Sequence, residues 1–64
     1  MAVYDRGYEM PAEIYGFVGP LVLLIRPTGL NWKAHRTAVR PATAHERVQL
    51  RALAALHRQR LRGM

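Results

Sequence analysis

The sequence predicts a small, mainly α, irregular chain: an apolar N-terminal segment broken by glycine and proline, then one long amphipathic helix over residues 44–62. Three observations carry this expectation. The stretch TAHERVQLRALAALHRQRLRG at 43–63 has helix signals at both ends, all four prolines and four of the five glycines fall before it, and 64 residues without cysteine leave little room for a core. A chain of this length buries roughly 60% of the surface its unfolded form exposes, which is marginal without a supplement. Composition excludes disulfides. His35, His45 and His57 lie ten and twelve residues apart, with neither a His-x-x-x-His pair nor a carboxylate cluster beside them, so no metal or other cofactor is predicted. Burial against a partner is the supplement that remains, and a stable isolated monomer is not expected.

Residues 1–13, MAVYDRGYEMPAE, show little periodicity and carry Pro11 near their end; they are predicted as an extended arm. Residues 14–25, IYGFVGPLVLLI, run twelve positions without a charge. As a helix they would span about 18 Å against a hydrocarbon core of about 30 Å, so no full-length transmembrane helix is expected. Gly16, Gly19 and Pro20 also break a continuous helix. No basic region precedes the run and no small-residue cleavage pattern follows it, so no signal peptide is expected. The segment fits a buried strand or a short helix ended by the turn Arg26-Pro27-Thr28-Gly29, where Pro27 takes the second position and Gly29 the fourth. As an alternative, it is an apolar anchor with Tyr15, Phe17 and Trp32 near its ends as interfacial aromatics.

Residues 26–42 form a turn and a basic connector, whose LNWKAHRTAVRP suits either a second strand or a short helix. Trp32 is expected as a packing anchor, with a base-stacking platform as the alternative. The closing helix is the best-marked element. Thr43 can cap it and Glu46, three residues on, completes a capping box in which the two side chains satisfy first-turn amides reciprocally. Gly63 follows as a stop signal. Successive side chains about 100° apart place Leu50, Leu53, Ala54, Leu56, His57 and Leu61 on one face, with Arg60 projecting among them. The same projection gathers Arg47, Arg51, Arg58 and Arg62 into a strip beside that face, with no glutamate spaced to relieve their repulsion.

Charge sorts the chain into two parts. The first 25 residues carry Asp5, Glu9 and Glu13 against Arg6 alone, whereas the rest carry nine basic groups against Glu46, for a net +6. Such a basic half calls for an anionic partner: an acidic protein, nucleic acid or an anionic membrane surface. Serine and cysteine are absent and no phosphate-binding glycine loop leads into a helix, so an enzyme is not predicted. The expected function is a non-catalytic accessory or structural subunit of a larger assembly, inside a cell or within a particle such as a virion, a ribonucleoprotein or a membrane complex. Its electrostatic partner-binding residues are Arg47, Arg51, Arg58 and Arg62, and its apolar ones Phe17, Leu23, Leu24, Trp32, Leu53 and Leu56. The alternatives are a nucleic-acid-binding protein without sequence preference, using the arginine strip, and a peripheral membrane protein held by residues 14–25.

Overall fold

The computed structural model describes residues 1–62, with side chains through Leu61; Gly63, the predicted helix stop, lies outside them. Five strands precede the helix: β1 Ala2–Asp5, β2 Met10–Val18, β3 Leu21–Ile25, β4 Asn31–His35 and β5 Val39–Pro41, with a 3₁₀ turn at Arg36–Ala38 and the helix α1 at Ala44–Arg62. The protein is predominantly β, and the mainly α expectation is overturned. The predicted extended arm contributes β1 and the start of β2, and the predicted connector holds β4, the 3₁₀ turn and β5.

All pairings are antiparallel in the order β4-β3-β2-β1-β5, so β1 to β4 follow one another through hairpins and β5 returns to the free edge of β1. The hairpin turns explain themselves. Gly19, at φ +56°, takes the positive φ that the first position of a two-residue hairpin turn demands, and Pro20 fills the second. The Arg26–Gly29 turn closes with the Gly29 amide donating to the Arg26 carbonyl at 2.9 Å, and Gly29 sits at φ +96°.

The sheet is curled. Trp32 on β4 donates through Nε1 to Asp5 Oδ2 on β1 at 2.7 Å, although a flat sheet would hold those strands about 14 Å apart. Curling encloses a core of Val3, Ala12, Val22 and Leu24, with Ile14, Trp32, Ala34 and Val39 packed against it. The 3₁₀ turn closes one end: the Arg36 amide donates to the Pro20 carbonyl at 3.0 Å and the Arg6 amide to the Ala38 carbonyl at 2.9 Å. The Arg6 guanidinium also donates to the Thr37 carbonyl.

Physical reasons hide these strands from a search for alternation. β3 is apolar on both faces: Val22 and Leu24 are buried in the core while Leu21 and Leu23 are half-buried opposite, so it shows no period of two. On β2 a bulge at Tyr15 shifts the register between Ile14, opposite Leu24, and Gly16, opposite Leu23. The extra residue moves the inward phase from even to odd positions. On β1 the inward positions are Val3 and Asp5, and an acidic group in the core spoils the pattern.

Candidate functional site

The helix is fastened to the sheet at its first turn. Glu46 Oε1 accepts from the Thr43 amide at 2.9 Å, and the Glu46 amide donates to Thr43 Oγ1 at 3.2 Å, which forms the reciprocal capping box. The same carboxylate receives both terminal nitrogens of Arg40, Nη1 at 2.9 Å and Nη2 at 2.8 Å. On its other side the Arg40 guanidinium lies 4.3 Å from the centre of the Tyr4 ring, its cross-strand neighbour. Tyr4, Arg40 and Glu46 thus form a clip from β1 through β5 to α1.

The clip sets a pH dependence. The Arg40 hydrogen bonds, then the Thr43 amide, hold the Glu46 carboxyl at about 2, below its ordinary 4.5, and Glu46 raises Arg40 in turn. Because the folded value is depressed, the clip's contribution is present above about pH 4.5 and is lost as pH falls towards 2. We expect helical circular dichroism to decline over that window, and a Glu46→Gln variant to lose this part of the acid transition. An unchanged acid profile in the variant would contradict the clip.

From this anchor α1 crosses the outer face of β2. Leu50, 4% exposed, is the one buried side chain among its described residues. A groove runs along each flank of the crossing. One is lined by Ala2, Glu13 and Pro27 of the sheet side with Arg47, Leu50, Arg51 and Ala54 of the helix; the other includes Met10, Pro11 and Arg26 with Leu53 and Leu56. Beyond Leu56 no described helix residue lines either groove, and residues 58–61 are all exposed. The molecule measures 39 Å along its longest axis and 17 Å along its shortest. The last turns of α1 stand out as an arm.

The predicted site residues fall into separate places. Arg47, Arg51 and Arg58 are exposed on α1; Arg47 donates only a long 3.4 Å bond to the Ala42 carbonyl, and among the described residues none of the three has a carboxylate partner. Arg62 ends the helix, and its side chain lies outside the described ones. Leu56, at the rim of the second groove, is 44% exposed and Leu61, on the arm, 62%, whereas Leu53 is half-buried. Leu24 is wholly buried and Trp32 is half-buried and bonded to Asp5, so both belong to the sheet's interior. Leu23 is half-buried against Gly16, where an added Cβ would come within 3.1 Å of Leu23 Cδ1. Phe17 is exposed near the β2–β3 turn, at the end of β3 away from the helix crossing.

Sequence reasoning passed over Asp5, Tyr4 and Arg40. Asp5 organises the β1–β2 loop: Oδ1 accepts from the Gly7 amide at 2.7 Å and the Tyr8 amide at 3.1 Å. Tyr8 then lies edge-on to Trp32 with ring centroids 5.5 Å apart. The Asp5-Arg6-Gly7 sequence is a recognisable turn signal, since aspartate bonds the backbone two residues on. Arg40 had no comparable mark. Among the described residues no helix is long and apolar enough to cross a membrane. Compared with protein-family models, curated proteins and solved structures, the chain matches none.

Proposed function

We propose that this chain is a small non-catalytic accessory subunit that docks the projecting end of α1 on an acidic, partly apolar surface of a larger protein assembly. The observation that carries this reading is the exposure of Leu56, at the rim of the second groove, and of Leu61 beyond it, with Arg58 three residues before Leu61 on the same side of the helix. Full burial of a fully exposed leucine gains about 1.5–3 kcal/mol, and Leu56 and Leu61, about half exposed, keep roughly half of that gain for a partner. The flanking arginines choose the partner's charge. A second copy would bring like strips together on chains of net +6, whereas carboxylates opposite Arg51 and Arg58 would relieve their repulsion. The clip at Tyr4, Arg40 and Glu46 supports the same reading, because it fixes the direction in which the arm leaves the sheet.

The test is affinity purification of the tagged chain from its native host after nuclease treatment, with the retained proteins identified by mass. A stoichiometric protein partner is expected. Leu56→Asp should abolish its retention, and Arg58→Ala should weaken it roughly fivefold. Loss of every partner on nuclease treatment would instead assign the arginine strip to nucleic acid, with binding that falls steeply as salt rises.

A further inference from the structure

We infer that the tip of the β2–β3 hairpin is a wedge that seats on an anionic phospholipid surface, at the end of β3 away from the helical arm. Residues 14–25 contain no charged side chain, and the sheet sorts them by position. Val22 and Leu24 are consumed by the core, but Phe17 is 72% and Val18 53% exposed, and Gly19 and Pro20 are exposed between the strands. Phe17 follows the bulge onto the inward phase, opposite buried Val22. It stays uncovered because β1 pairs with β2 only as far as Glu13, leaving the hairpin to overhang its neighbour. The result is a convex apolar apex.

Two arginines border the tip. On the next strand His35 is opposite Leu21 and leads into the 3₁₀ turn, where the Arg36 amide is bonded to the Pro20 carbonyl and Arg6 is tied to Thr37 and Ala38. Arg36 and Arg6 are both exposed. The carboxylates are placed elsewhere. Asp5 is turned into the core, Glu46 is held by Arg40, Glu13 is opposite Ile25 at the far end of β3 beside the N-terminal ammonium at 3.3 Å, and Glu9 lines a groove with Arg26 and Leu56.

An apolar apex backed by cations matches the layering of an anionic bilayer, where phosphates lie outside hydrocarbon. A single-stranded nucleic acid fits less well. It binds along rows of aromatic faces, and this apex offers aliphatic Val18 and Pro20 beside the ring of Phe17. Because the tip and the arm lie apart, the inference does not depend on what the arm binds, and arm variants need not enter its test.

The test is flotation of the full chain with phosphatidylcholine vesicles containing about one-third phosphatidylglycerol, beside vesicles of phosphatidylcholine alone and a single-stranded oligothymidylate. Binding to the anionic vesicles only is expected. Phe17→Asp should weaken it by roughly tenfold or more, and Arg36→Ala by roughly fivefold. Phe17 is exposed enough for the variant to fold, which an unchanged Trp32 fluorescence spectrum would verify. No binding to anionic vesicles, wild-type binding by folded Phe17→Asp, or Phe17-dependent binding to the oligothymidylate without vesicle binding would each overturn the proposal.

Discussion

Replacing Asp5 with alanine should remove most of the chain's stability at room temperature. Asp5 is 1% exposed and its carboxylate accepts three hydrogen bonds, from the Gly7 and Tyr8 amides and from Trp32 Nε1. Truncation removes all three and strands the indole donor, at a cost of about 3 kcal/mol or more. A core of this size supplies no more than about 3–5 kcal/mol, so the loss is comparable with the whole. The bond to Trp32 is also what ties β4 across the curl to β1. Asp5→Asn keeps one accepting oxygen and should fall between wild type and Asp5→Ala. Urea titration followed by Trp32 fluorescence measures the series; equal midpoints for Asp5→Ala and wild type would refute this role.

An aspartate at position 24 should be as damaging, while the same residue at position 17 should be nearly silent in stability. Leu24 is fully buried between Val22, Trp32 and the strands beside it, so Leu24→Asp places a carboxylate where no described cation reaches it. Buried unpaired charge belongs to the small set of changes that cost more than about 4 kcal/mol. Phe17 lies on the same face of the same hairpin but past the end of β1, and Phe17→Asp should shift stability by no more than about 0.5 kcal/mol. Sequence reasoning treats the two as one apolar docking surface, and the fold separates them. If Leu24→Asp unfolded at the wild-type midpoint, the curled core would be wrong.

What was legible depended on whether a signal was local. The helix and its capping box depend on residues three and four apart, and Thr43 and Glu46 make the bonds their spacing implies. The Arg26–Gly29 turn is local in the same way. The sheet is not. Its defining contacts join Trp32 to Asp5 across 27 positions and Arg6 to Thr37 across 31, distances over which periodicity carries no information. The bulge at Tyr15 and the two-sided burial of β3 then removed the alternation that would have marked the strands. The same limits divided the site residues. Arg47, Arg51 and Arg58 are exposed as a helical projection expects, whereas Leu56, projected onto the apolar face, is exposed too; Leu24 and Trp32 belong to a core that only the pairing reveals, and Glu46's second bond, to Arg40, depends on β5 lying beside the helix start.

Amide hydrogen exchange along α1, measured on the free chain and on the chain bound to its captured partner, tests docking by the arm most directly. In the free chain residues 57–61, which line neither groove, should exchange faster than residues 47–53, which cross β2 around buried Leu50. Partner binding should slow exchange across 57–61 and change 47–53 little. Unaltered exchange at 57–61 in the complex, with protection appearing elsewhere on the sheet, would contradict the arm as the docking element.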